Sequence, residues 1–187
     1  FLGEVVYKKE RKGENDVMVK AIQYETQDEN FNEISLDWRG NVKYSTMMKK
    51  LCEFNPRREF ILNVLEDTLK KGDMKQQIMI LAHNKSILTY IHDAIKHRGM
   101  ATVGYYIGGM KEIELKKSEG KKVIIATYAM AEEGLDIKSL NTLIMASPKV
   151  NITQAVGRIL RSKEHSSLVI DIVDQHGIFQ RQYKKRK

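Results

Sequence analysis

Four residues in one short stretch carry groups suited to phosphate. Gln154, Gly157, Arg158 and Arg161 lie within Ile152-Thr-Gln-Ala-Val-Gly-Arg-Ile-Leu-Arg161. On a helix, at about 100° per residue, they fall within roughly a third of the circumference, with Ile152, Val156, Ile159 and Leu160 opposite. One face can then pack on a sheet while the other presents an amide and two guanidiniums in a row. Arginine's planar fork suits bidentate contact with phosphate, and its charge is effectively permanent. Gly157 costs a helix about 1 kcal/mol relative to Ala, a cost that makes sense where another backbone or a ligand must come close. A solvated face with two ordinary arginines would show the same periodicity, so this stretch does not decide its own function.

A second stretch lies upstream, Ala126-Thr-Tyr-Ala-Met-Ala-Glu-Glu-Gly-Leu-Asp-Ile137. Residues 122–128 read as a buried strand, after which the chain is expected to turn through small residues to Glu133-Gly134-Leu135-Asp136. A polar cluster past the carboxyl end of such a strand is where open α/β sheets bind ligands. Thr127, at the strand end, has a hydroxyl that can donate to a phosphate oxygen. Glu132 and Glu133 could be read as acid/base carboxylates, but adjacent residues of a helix or turn point apart, and a solvated pair is the expectation.

Together the two stretches resemble motifs V and VI of superfamily 2 helicases. The second matches Gln-x-x-Gly-Arg-x-x-Arg at every fixed position. Ala82-His83-Asn84-Lys85-Ser86 falls, more loosely, where motif IV would lie, and Gly108-Gly109-Met110 where the family's next backbone-contacting turn lies. Gly108-Gly109 also reads as a plain turn, although paired glycines let a phosphate approach backbone N–H groups.

The resemblance implies roles. Thr127 and Gly134 would touch the nucleic-acid backbone, with His83, Gly108 and Gly109 beside them. Asp136 would sit at the nucleotide side of an interdomain cleft, with Gln154. Arg158 and Arg161 would reach the triphosphate bound by another domain. Phosphoryl transfer is largely positioning and charge stabilisation, and an arginine finger is worth roughly 10³–10⁵ in rate. Delivering it from a second domain makes hydrolysis depend on closure. The implied cofactors are ATP and Mg2+, held mainly by an N-terminal RecA-like domain, because the chain has no Gly-x-x-x-x-Gly-Lys-Ser/Thr loop and no Asp-Glu-x-His box. On this reading the 187 residues alone neither hydrolyse ATP nor unwind a duplex.

Within the superfamily, Ile124-Ile-Ala-Thr-Tyr-Ala-Met-Ala-Glu-Glu-Gly-Leu-Asp-Ile137, Ala146-Ser-Pro-Lys149 and Val156-Gly-Arg-Ile-Leu-Arg-Ser-Lys163 look most like the DNA helicases of large DNA viruses. These are relatives of the phage recombination helicase and the XPB-type branch. The ending Ile170-Asp-Ile-Val-Asp174, followed by Phe179 and Arg181, is similar to that branch as well. DEAD-box RNA helicases usually open motif VI with His-Arg, where this chain has Asn151-Ile-Thr-Gln154, and that difference favours DNA over RNA. The resemblance covers about residues 72–180.

The elements that must position these groups can be read from periodicity. From residue 77 strands alternate with helices: strand 77–82, helix 85–98, strand 101–107, the Gly108-Gly109 turn, a helix over 111–118, then strands 123–128, 142–146 and 168–173. Such alternation implies βαβ units and a mostly parallel sheet. With the resemblance, the expectation is an α/β, RecA-like sheet flanked by helices over 72–180. Residues 1–71 form an N-terminal extension of short strands and two helices, 45–54 and 57–71, with Asn55 as N-cap and Pro56 in the first turn. Residues 8–16 read as a turn and 25–45 as irregular. Trp38, within them, is expected to be a packing anchor, with stacking on a base as the alternative. Residues 181–187 form a basic tail.

Composition bounds the rest. The 187 residues carry a formal net charge of +8, with 42% hydrophobic and 30% charged residues. That balance describes a globular chain and favours a polyanionic partner, although Lys-rich surfaces also serve solubility alone. The basic tail, with Arg181, Lys184, Lys185, Arg186 and Lys187, is expected to meet phosphates. The single cysteine, Cys52, leaves no internal disulfide and fits a reducing compartment, inside a cell or a virus-infected host. No membrane-spanning run or signal peptide is visible. His83, His92, His97, His165 and His176 lack zinc spacings. The opening Phe1-Leu-Gly suggests a piece of a longer polypeptide. Two function classes follow: the C-terminal motor domain of an ATP-dependent helicase or translocase, or a non-catalytic basic nucleic-acid-binding module with a vestigial helicase fold.

Overall fold

The computed structural model describes residues 5–9, 17–133, 135–159 and 167–186, with side chains for 17–133, 135–157 and 167–186. At one edge β1 (Val5–Lys9) pairs antiparallel with β2 (Val17–Tyr24), so Lys8 and Lys9 extend a strand rather than open a turn. Three helices follow: α1 (Glu29–Asn32), α2 (Tyr44–Glu53) and α3 (Asn55–Lys71). The remaining strands are β3 (Ile78–Ala82), β4 (Val103–Tyr106), β5 (Val123–Thr127), β6 (Thr142–Met145) and β7 (Ser167–Asp174). Between and after them come α4 (Lys85–His97), α5 (Glu112–Glu119), α6 (Tyr128–Glu133), α7 (Thr153–Ile159) and α8 (Gly177–Arg186).

The seven strands lie in the order β1-β2-β7-β6-β3-β5-β4, and the six from β2 to β4 run parallel. All five residues of β3 are buried, because helices cover both faces of the sheet. Ile78, Ile80, Ala82, Ile125, Ile144 and Ile172 point into one core with side chains of α2, α3 and α4. Their neighbours Met79, Leu81, Ile124, Met145 and Val169 point into a second core closed by Ala131 of α6 and Ala155 of α7. The mostly parallel sheet follows the strand–helix alternation, and its arrangement is the RecA-like one that the resemblance implied.

Residues 17–71 share that first core. β2 pairs with β7 along its full length, and Met47, Leu51, Ile61 and Leu65 are buried beneath α2 and α3. Arg57 of α3 is completely buried. Its Nε and Nη2 donate to the two carboxylate oxygens of Asp174 at 2.5 and 2.8 Å, and Nη1 donates to the Ala146 carbonyl at 2.8 Å. Buried with it, the Cys52 thiol has its pKa pushed up to about 11, chiefly by desolvation.

Several expectations need correction. Thr127 leads directly into a short helix, α6, instead of a turn of small residues. The segment after β2 contains α1, capped by Asp28, whose Oδ1 accepts from the Phe31 N–H at 2.7 Å. Phe54 occupies the N-cap of α3, and Asn55 begins the helix, its Oδ1 accepting from Arg58 at 3.2 Å. Trp38 is no packing anchor, being 86% exposed. The basic tail is largely α8, and Arg186 is withdrawn from solvent. Its Nε and Nη2 donate to Asp171 at 3.0 Å each, and Nη1 donates to the Lys149 carbonyl at 2.9 Å. Arg186 therefore cannot serve the phosphate contact expected of it.

Candidate nucleic-acid and nucleotide edge

The parallel strands end together. Register aligns Ala82 with Thr127 and Tyr106 with Ala126. His83, Thr127 and the Gly108-Gly109 turn therefore stand next to one another at the carboxyl edge of β3, β5 and β4. Four of the five residues expected at the nucleic-acid backbone share this edge, and the fifth, Gly134, lies outside the described residues.

Each presents a group suited to an anion. The Thr127 hydroxyl accepts from the Met130 N–H at 3.4 Å and so keeps its own proton to donate. Gly109 has φ of +87°, a conformation L side chains rarely adopt, and a Cβ at Gly108 or Gly109 would meet nothing within 4 Å. The turn thus offers open backbone. The Ser147 hydroxyl, just past β6, accepts from the His83 backbone N–H at 2.9 Å and lies 3.0 Å from His83 Nδ1. Donation from Ser147 to Nδ1 would place the ring proton on Nε2, turned away from the pair. His83 keeps an exposed edge, yet the protein packed around the ring lowers its pKa. The Lys149 ammonium lowers it further, and Glu132 opposes both.

Beneath this edge lies a polar layer that sequence reasoning missed. Tyr128 is buried, and its hydroxyl donates to the Ser147 carbonyl at 2.6 Å. Burial, and then Asp171, hold its phenol well above the ordinary pKa, so it acts as a neutral strut. Lys149 pairs with Glu132 of α6 and lies 5.1 Å from the centre of the Tyr128 ring. Glu132 is therefore an ion-pair partner; Glu133, beside it, is exposed. The available signal was positional: Ser147-Pro-Lys149 begins two residues past the end of β6, at the same edge of the sheet as Thr127.

Of the residues expected at a nucleotide, the described Asp136 and Gln154 stand next to side chains of the second core. α6 packs against α7, and both contribute to the second core. Asp136 is exposed between buried Leu135 and Ile137, and Gln154 is exposed beside buried Ala155. Gly157 is exposed too, and a Cβ there would meet nothing within 4 Å. The exposed carboxylate follows α6, and the amide and the uncrowded glycine stand on α7, which packs against α6. Gly134, Arg161 and the Arg158 side chain lie outside the described residues. Among the described residues no group of three or more His, Cys, Asp or Glu side chains could hold a metal ion, and no helix is long and apolar enough to cross a membrane.

The profile of the helicase conserved C-terminal domain matches residues 58–163, more than half of the chain. The chain belongs to this helicase family. A mimivirus protein (Acanthamoeba polyphaga mimivirus) bearing the name of an ATP-dependent RNA helicase is 35% identical, over 100% of this chain and 37% of its own length. A protein of Invertebrate iridescent virus 6, named as a helicase, is 24% identical over 83% of this chain and 35% of its own. The helicase C-terminal domain described here thus spans little more than a third of these relatives. The solved structure of T4 UvsW superposes with a TM-score of 0.62 at 20% identity, covering 77% of this chain and 34% of that one. That likeness confirms the RecA-like fold.

Proposed function

We propose that this chain is the second motor domain of an ATP-dependent helicase or translocase that grips a nucleic-acid backbone with the edge formed by His83, Gly108, Gly109 and Thr127. The observation that carries the reading is the alignment of these residues at three adjacent strand ends, with α6 and α7 packed together behind Thr127. A strand held at Thr127 is thereby one short helix away from the residues assigned to nucleotide. Gln154 and Asp136 would face the nucleotide from this side of the cleft, and Arg158 and Arg161 would neutralise charge developing on the triphosphate. ATP and Mg2+ would supply the phosphoryl chemistry from the partner domain's side. Closing the two domains would then tie the grip at Thr127 to nucleotide state.

Sequence wording favours DNA, whereas the mimivirus relative carries RNA in its name. Parallel titrations with labelled DNA and RNA single strands discriminate between them, and a clear preference for RNA overturns the DNA assignment. ATP hydrolysis by the longer polypeptide, stimulated by nucleic acid and lost in Arg161→Ala, tests the motor reading itself. The alternative module, binding without catalysis, would give hydrolysis indifferent to both.

A further inference from the structure

Trp38 is the only tryptophan of the chain, and the protein holds it outward on a preorganised loop. Leu36 and Val42 form an antiparallel bridge. Between them the Asp37 N–H donates to the Asn41 carbonyl at 2.8 Å, and Gly40, at φ +81°, donates to the Asp37 carbonyl at 3.0 Å. Asp37 Oδ1 accepts from the N–H groups of Arg39 and Asn41 at 2.8 and 2.9 Å. Below the bridge the Lys43 N–H donates to the Ser35 carbonyl at 2.9 Å. Four backbone and side-chain contacts on a seven-residue loop fix its tip without using the indole. An indole this exposed forgoes the burial that normally stabilises tryptophan, and Ile34, Leu36 and Tyr44 of the same segment are exposed with it. Exposed apolar groups gathered in this way, rather than scattered singly, mark interaction sites.

The surroundings select the partner. The Arg39 guanidinium lies 4.3 Å from the centre of the Trp38 ring, so a planar cation stacks on the indole. After Trp38 the chain carries Arg39, Lys43 and Lys49 before its next carboxylate, Glu53, and Tyr44 is a second exposed aromatic. Asp37, just before the indole, accepts from N–H groups of its own loop, and the Lys50 ammonium is held by the Asn30 and Glu33 carbonyls. Aromatic rings interleaved with cations are what unpaired bases on a phosphate backbone require. The chain leaves the sheet at the carboxyl end of β2, the same edge as Thr127, and reaches Trp38 fourteen residues after Tyr24, past α1. Four interstrand steps separate β2 from β5. At about 4.8 Å each they span roughly 19 Å, which about six stacked nucleotides would cover.

We propose that Trp38, backed by Arg39, is a base-stacking platform for the single strand gripped at Thr127. The proposal rests on the nucleic-acid reading of that edge and adds a contact outside the family's motifs. Because the indole is unique, its own emission reports the contact. Titrating the 187-residue chain with fluorescein-labelled oligothymidylate or oligouridylate should quench Trp38 along the same isotherm that anisotropy follows. Trp38→Ala should bind about tenfold more weakly, and Trp38→Phe, which keeps a stackable ring, should recover most of the loss. An abasic oligomer should bind the wild-type chain as weakly as the natural oligomer binds Trp38→Ala. Binding with unchanged emission and unchanged Trp38→Ala affinity overturns the platform while leaving the Thr127 grip intact, and hands the loop to a protein partner. No anisotropy change with either oligomer overturns both readings.

Discussion

Arg57 and Asp174 lie 117 positions apart and meet in a bidentate pair with neither side chain accessible to solvent. The pair joins the first turn of α3 to the end of β7, and a third bond from Arg57 reaches the carbonyl after β6. It fastens the amino-terminal helices to the edge where ligands are expected. Removing one partner leaves a charge buried without compensation, which costs about 3–5 kcal/mol.

Asp174→Asn should therefore lower the thermal midpoint by about 10 °C. The double variant Arg57→Met/Asp174→Leu, which buries no charge, should recover most of that loss. Thermal denaturation followed by circular dichroism checks both, and a shift within 2 °C for Asp174→Asn would deny the pair its structural weight.

Arg161→Ala in the polypeptide that carries both motor domains should reduce ATP hydrolysis by about 10³-fold or more, and Arg158→Ala should do likewise. Both side chains belong to the predicted polar face of the helix, so neither change should unfold the domain. Steady-state turnover at saturating nucleic acid is the measurement. Near-normal rates in both variants would remove the arginine-finger assignment.

Thr127→Val should weaken oligonucleotide binding at every salt concentration without changing the slope of log affinity against log salt, because a hydroxyl displaces no counterion. Lys184→Ala/Lys185→Ala, two exposed cations of α8, should instead flatten the slope by up to about 1.4 on a single strand if both meet phosphates. Anisotropy titrations over a salt series separate the two effects. An unaltered slope in the double variant leaves α8 without a binding role.

Arg186→Ala should destabilise the domain most at neutral pH and progressively less in acid. Burial raises the Asp171 pKa, Arg186 opposes that rise, and Asp174 adds to it. A carboxyl whose native pKa lies above its unfolded value takes up its proton more readily when folded, so protonation favours the native state as pH falls through the native pKa. Without Arg186 the native pKa rises further. The deficit relative to wild type, about 3 kcal/mol at neutrality, should shrink towards about pH 4, where the unfolded carboxyl also titrates. Urea denaturation across that pH range checks it, and a deficit constant with pH would contradict the argument.

What the sequence conveyed was periodic or local. The apolar run of β3, the stripe of Ile87, Leu88, Ile91 and Ile95 on α4, and Gly99 at φ +60° past its end all follow from spacing and turn chemistry. So does the carboxyl-edge placement of Thr127, which needs only a strand and its direction. Arg57 and Arg186 were illegible for the opposite reason. In sequence, one is an ordinary cation in a helix and the other part of a charged tail, and the carboxylates that pair with them both sit on β7, 117 positions from Arg57 and 15 from Arg186. α6 was lost because a six-residue helix offers less than two turns of pattern. Trp38 defeated expectation because the short loop that exposes it runs through Asp37, Gly40 and Asn41, whose turn chemistry outweighs the usual burial of an indole.

The pairing of β2 with β7 also has a temporal side. Val17 is aligned with Ser167 and Tyr24 with Asp174, so β2 finds its inner neighbour only after about 150 further residues have been synthesised. On the ribosome, at about 5–20 residues per second, that interval lasts on the order of ten seconds. During it, Ala21, Ile22 and Tyr24 wait as the unsatisfied edge of a two-stranded ribbon. The nascent domain is then most exposed to misassociation at β1 and β2, and a chaperone that shields them would act before this domain has a shape to protect.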